Sequence, residues 1–348
     1  MIWPHLGGFM IENVIFGYGT ERRGGGETAN RLAADLDKTD LGRKLVQFLK
    51  QQGFTVHVTR DLPKGHEGSA GLAIRSARKI YIRAGYSPAE TLRIFAHETR
   101  HVGQFAAEQS TTSTFRLYHP VNQIAHSWLR EMDAEAFAAH FISTHERRVG
   151  DGVMWTLMGD ISTRWKSSFY KAYMKEVEAT SGRDGASPMR AAFYCFLESP
   201  GLRRSYALGA MDDWNTQYPQ LNQQTDYLSP LRRQFIDLAA DSRGASGREL
   251  LFERALAYSK IFNEFGSPDY LSGQKLSKLE EKMTGEKTEL RGTDAHRLEN
   301  ALFQFNQIES RVMPPKTPAP QSGLLSRLLN RRVTPAELNL RHNPYMNY

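Results

Sequence analysis

One five-residue stretch constrains this chain more than any other: His97-Glu98-Thr99-Arg100-His101, within IFAHETRHVGQF. It has the form H-E-x-x-H. Residues four apart on a helix stand about 40° apart around the axis, so His97 and His101 would share one face, one turn apart. Two imidazoles so placed can reach one metal ion at the ~2.0–2.1 Å of zinc–nitrogen bonding. Glu98 is rotated by about 100° from His97. That sets it beside such a metal, where a base acting on metal-bound water belongs. The pattern therefore asks for a helix and for a third ligand from elsewhere in the chain.

The flanking residues predict the helix independently of the motif. Lys79-Ile80-Tyr81-Ile82-Arg83 alternates as a strand, and Gly85 and Tyr86 turn out of it. Ser87 is a good N-cap, Pro88 suits the first helical position, and Glu90 completes a capping box. Leu92, Phe95, Ala96 and Ala106 give an apolar face, with no Pro or Gly before Gly103. Upstream, residues 28–52 read as helix broken between Asp37 and Asp40 and ended by Gly53. Residues 54–59 then alternate as a strand, and Ala73-Ile74 start a short one. Downstream, Pro120 opens a long Ala-rich helix that runs to about Arg148 and ends at Gly150 and Gly152.

Residues 153–310 read as helical segments divided at Ser181-Gly182, Ser199-Pro200-Gly201, Pro219, Pro230, Gly244 and Gly266-Ser267-Pro268. Phe169, Tyr170, Tyr173, Phe193, Tyr194 and Phe196 read as core, and Asp212-Asp213-Trp214 as a cap and turn.

Composition narrows the ligand chemistry. A single cysteine, Cys195, leaves no internal disulfide and no Cys-rich zinc module, so a metal site must use His and carboxylate. No apolar run approaches the ~18–20 residues of a membrane span. The apolar N-terminus lacks a basic n-region and carries Pro4 and Glu12, so the expected location is cytoplasmic, with export without a cleaved leader left open. The Gly-rich ERRGGGE (residues 21–27) reads as a linker, since no G-K-[ST] follows it. Most of the +7 net charge sits in the last stretch, where Arg311, Lys316, Arg327, Arg331, Arg332 and Arg341 face one acid, Glu337. That tail is expected to be solvated and disordered, or to engage an acidic partner or nucleic acid. Leu324, Leu325, Leu328 and Leu329 form a short amphipathic helix within it. The expected organisation is an N-terminal segment 1–28, a core 29–150, a helical region 151–310 closing a cleft, and a Pro-rich linker with basic tail 311–348.

The third ligand is sought downstream. A metzincin would need Gly three residues after His101 and a further His three later; Gly103 is only two after, and Ala107 fills the third-His place. The other common solution takes a Glu from a second helix. Glu131 and Glu135 stand at i and i+4, one able to bind the metal and the other to hold a ligand histidine by its remaining ring nitrogen. Asp133 competes with Glu131 as ligand, and His119, His126 and His140 are further candidates.

H-E-x-x-H followed about thirty residues later by E-x-x-A-E resembles the gluzincin branch of zinc metallopeptidases. Residues 72–141 resemble small bacterial metallopeptidase domains with an H-E-x-R-H helix and an E-A-D-A-type helix, although the last acid is Glu135 where Asp is usual. The resemblance implies that His97, His101 and Glu131 bind Zn2+, that Glu98 is the catalytic base, and that Glu135 orients a ligand histidine. It implies an α+β, zincin-like fold, with a small sheet beside the H-E-x-x-H helix, a second ligand helix and a mostly helical remainder. The expected activity is that of a zinc metalloendopeptidase, hydrolysing a peptide or protein substrate with a Glu-assisted, zinc-bound water. Tyr118, His119, Tyr206 and Tyr227 are candidate oxyanion donors. The alternative is a non-catalytic or regulatory binding module working through the basic tail.

Overall fold

The computed structural model describes residues 16–18, 25–110, 115–117, 120–159, 164–181, 186–217 and 336–338. The first part alternates strands and helices: β1 (Phe16–Tyr18), α1 (Gly25–Asp37), α2 (Asp40–Gln51), β2 (Thr55–Thr59), β3 (Gly71–Ile74), β4 (Lys79–Arg83) and α3 (Pro88–Ser110). Strand β5 (Phe115–Leu117) precedes the long α4 (Pro120–Val149). Helices α5 (Val153–Gly159), α6 (Arg164–Ala179), α7 (Ala186–Cys195) and α8 (Pro200–Gln217) follow, with a single 3-10 turn at Phe196–Glu198. Strand β6 (Ala336–Leu338) comes from the C-terminal stretch. The class is α+β, with a small sheet and mostly helical content. Among the described residues no helix is long and apolar enough to cross a membrane.

The sheet order is β1-β2-β4-β3, with β1, β2 and β4 parallel and β3 antiparallel at one edge. Strands β2 and β4 alternate between buried and half-buried positions, so Val56, Val58, Ile80 and Ile82 face the core. Thr55, His57, Lys79, Tyr81 and Arg83 line the other face. Helices α1 and α3 cover the buried face, and α4 packs across α3 with α6, α7 and α8 against it. The core is continuous from Leu32 on α1 through Phe95 on α3 and Phe137 on α4 to Phe193 on α7. Phe169, Tyr170, Tyr173, Phe193 and Phe196 are buried in it, as their spacing suggests.

Local chemistry explains most boundaries. The break between α1 and α2 is made by Thr39, whose Oγ1 accepts from the Gly42 N–H at 3.0 Å. Gly53 ends α2 at φ +70°, a backbone that glycine adopts without strain. Ser87 Oγ accepts from the Glu90 N–H at 3.2 Å, so Ser87 caps α3. The return half of the capping box is replaced: Glu90 takes Arg93 instead, at 2.9 and 3.0 Å. A buried guanidinium demands a carboxylate more strongly than an N-terminal amide does.

Some expectations are corrected. The Gly-rich stretch is not all linker, because α1 begins at Gly25; the first turn of a helix tolerates such residues since its N–H groups lack intrahelical partners in any case. Asp212, Asp213 and Trp214 lie inside α8, carried by the good helix formers before them. Strands β1, β5 and β6 were not expected, and three residues are too few for alternation to register. The pairing of β5 with β6 ties residues 336–338 of the basic tail, expected to be disordered, to the connection before α4. The linker 313–320 and the amphipathic Leu324–Leu329 segment lie outside the described residues.

Helices α3 and α4 are joined by charge as well as by apolar packing. Arg100, with no exposed surface, donates from Nε and a terminal nitrogen to Asp133 at 2.7 and 2.8 Å and lies over the Phe137 ring at 5.1 Å. Seven residues earlier on the same face, Arg93 reaches Glu135 at 3.4 Å. Removing one member strands a buried charge. Arg100→Met is therefore expected to lower stability by about 3–5 kcal/mol, read from urea unfolding of the metal-free protein; a loss under 1 kcal/mol would mean that the pair behaves as a surface salt bridge.

Candidate metal centre

The two histidines of α3 and the first glutamate of the α4 pair converge. His97 Nε2 lies 3.1 Å from His101 Nε2. Glu131 lies against both, with Oε2 3.4 Å from His97 Nε2 and Oε1 3.4 Å from His101 Nε2. All three groups are buried or nearly so. Ligands held at ~2.0–2.1 Å on a tetrahedral ion stand about 3.3–3.4 Å apart. His97, His101 and Glu131 thus form a group that could hold a metal ion.

The chemistry of the donors fits a cation. On α3 and α4 five buried carboxylates, Glu90, Glu98, Glu131, Asp133 and Glu135, face two buried guanidiniums, Arg93 and Arg100; Arg203 of α8 is a third. The carboxylates remain in excess. Burial opposes the charged form of His97, yet Glu135, Glu131 and Glu98 outweigh it and raise its pKa. Burial likewise opposes ionisation of Glu131, but His101 and His97 hold its carboxyl well below the usual range. Both effects express one fact: this cluster attracts positive charge.

Glu98 follows His97 on α3 and is buried beside these three residues. Burial pushes its carboxyl up, with the nearby histidines pulling the other way. Its place depends on Gly71, in the edge strand β3. A Cβ there would lie 2.5 Å from Ile94 Cγ2 and 2.8 Å from Glu98 Oε1. Glycine lets β3 approach α3 closely enough to wall the carboxylate in.

The other candidates separate by partner. Glu135 lies 3.4 Å from His97 Nδ1, longer than an ordinary hydrogen bond, and its same oxygen faces Arg93. Asp133, two residues from Glu131, points to Arg100 and Gln104 and is not part of the converging group. His140 bonds the Tyr173 hydroxyl at 3.0 Å; burial pushes its pKa down to about 4, so it stays neutral. His126 is buried on α4 and is not part of the converging group. His119, Tyr118 and Tyr227 lie outside the described residues.

Tyr206 on α8 does reach the site. Its hydroxyl lies beside Glu131, and burial together with Glu131 and Glu135 holds its pKa well above the usual value, so it remains a donor. Its ring packs near Phe196, centroids 5.6 Å apart. The Trp128 indole N–H donates to the Arg203 carbonyl at 3.0 Å, one turn before both Glu131 and Tyr206. That bond ties α8 to α4 about one turn from the place where Tyr206 comes near Glu131.

Sequence reasoning passed over Arg93, Arg100, Gln104 and Gly71. Gln104 lies three residues after His101 on the same face, a spacing that was readable. Nothing local marks Gly71, because the contact it permits is with a residue 27 positions on.

No curated protein and no solved structure matches this chain. Residues 23–231, more than half of the 348, match the model of the family described as "Putative metallopeptidase family (DUF6782)". The span contains α1 to α8 and every residue of the converging cluster. The chain belongs to this family, whose description points to a metal-dependent peptidase.

Proposed function

We propose that this protein is a zinc endopeptidase of the gluzincin type, with His97, His101 and Glu131 as ligands, Glu98 as general base and Glu135 orienting His97. The observation that carries the reading is the convergence of three metal-ligating atoms from two helices with a buried carboxylate beside them. The residue types favour zinc: two imidazoles and one carboxylate are a common catalytic set that leaves a position open. When bound, zinc would activate a water molecule and polarise the scissile carbonyl.

The chain's own groups supply the rest. Glu98, its carboxyl raised by burial, accepts a proton from the attacking water and delivers it to the leaving amine. A carboxyl poised towards neutrality serves both steps better than a solvated one. Tyr206 stays protonated beside Glu131 and can offer its hydroxyl to the developing oxyanion.

The geometry of β3 supports a peptide as substrate. Ala70 O accepts from the Arg83 N–H at 2.9 Å, so antiparallel alternation turns the N–H and C=O of Gly71 and Ala73 away from β4. Among the described residues β3 is the edge of its sheet. At that edge Gly71 keeps part of its surface exposed while Leu72, Ala73 and Ile74 are buried, so an extended peptide would meet the sheet at Gly71, beside Glu98.

Two outcomes follow. Glu98→Gln should lower kcat/KM on a quenched-fluorescent peptide mixture by about 10²–10⁴-fold while zinc content stays at wild-type level; full activity in this variant would remove Glu98 from the mechanism. Gly71→Ala should displace Glu98 and cut turnover at unchanged zinc content. Wild-type turnover in Gly71→Ala would show that β3 does not set the position of the base.

A further inference from the structure

The two histidines are held in different ways. His97 has a carboxylate 3.4 Å from Nδ1. His101 has an amide: its Nδ1 lies 2.8 Å from Gln104 Oε1. The amide's orientation is settled by its other neighbours. Gln104 Nε2 stands 2.9 Å from the Arg130 carbonyl oxygen and 2.7 Å from Asp133 Oδ2. A carbonyl oxygen can only accept, and Asp133 already accepts from Arg100 through both of its oxygens. The NH2 group must therefore face those two atoms, and Oε1 must face His101.

We infer that Gln104 is a positioning residue for the metal centre: it fixes His101 in the Nδ1–H tautomer and aims the Nε2 lone pair at His97 and Glu131. An amide oxygen cannot donate, so the proton of the Gln104–His101 bond belongs to Nδ1. Neutral His101 then has its free lone pair on Nε2, the atom 3.1 Å from His97 Nε2 and 3.4 Å from Glu131 Oε1. Free histidine favours the opposite tautomer, so the network acts against the intrinsic preference. The chain of command is Arg100 to Asp133 to Gln104 to His101. It explains why the position inside H-E-x-x-H just before His101 carries a buried arginine. It also explains why Asp133, two residues from a metal-ligand candidate, ligates nothing in the cluster.

The inference rests on the proposed metal site, and the experiment separates the two. Metal-stripped protein is examined by imidazole ¹H–¹⁵N correlation, with His101 assigned by its loss in His101→Gln. Wild type should show His101 as Nδ1–H. Gln104→Met keeps the side-chain length without the hydrogen bonds. If folded by circular dichroism, it should show Nε2–H at His101 and a Zn2+ dissociation constant about 10–100-fold weaker by chelator competition. An Nε2–H His101 in wild type overturns the inference, as does a folded Gln104→Met with wild-type tautomer and zinc affinity. Where Gln104→Met does not fold, the wild-type tautomer alone decides. Wild type that takes up no zinc contradicts the metal site but leaves the tautomer result standing.

Discussion

The pairing of buried charges between α3 and α4 is the constraint on which the rest of the molecule depends. Ionised groups out of water are tolerated when each has a partner. Arg100 with Asp133, and Arg93 with Glu90 and Glu135, satisfy this, and they set the two helices in one register. The same register leaves Glu131 opposite His97 and His101 with no guanidinium of α3 on it. What remains after the pairing is a buried pocket of negative potential lined by imidazole nitrogen and carboxylate oxygen. A divalent cation is the natural complement of such a pocket.

The other elements act on that cluster from two sides. The sheet supports α3 from beneath, and β3 comes so close at Gly71 that Glu98 is enclosed. From the opposite side α8, registered by the Trp128–Arg203 bond, brings Tyr206 to Glu131. Glu98 with the two histidines, Glu131, and Tyr206 thus come from three elements whose relative positions are set by packing rather than by loops. A constellation on rigid helices loses little in ordering when substrate arrives.

How much could be read in advance follows from the range of each interaction. H-E-x-x-H, the Ser87 cap, the Gly53 and Gly150 stops and the Ala-rich α4 are local patterns, and the helices fall where those patterns place them. Glu131 was legible as a ligand candidate because i, i+4 spacing ties it to Glu135 on one face. The choice between Glu131 and Asp133 was not, because it turns on which acid Arg100 claims across the helix pair. Gln104 was passed over for a similar reason: its role exists only once the Arg130 carbonyl and Asp133 are beside it. Strands β1, β5 and β6 are defined by partners far away in sequence, and three-residue segments carry almost no signal of their own.

Anomalous diffraction at the zinc absorption edge, on crystals of the metal-loaded full chain, tests the account most directly. It predicts one ion per chain between His97 Nε2, His101 Nε2 and Glu131, with Asp133 still on Arg100. A zinc ion ligated by Asp133, or no anomalous peak among His97, His101 and Glu131, would contradict it.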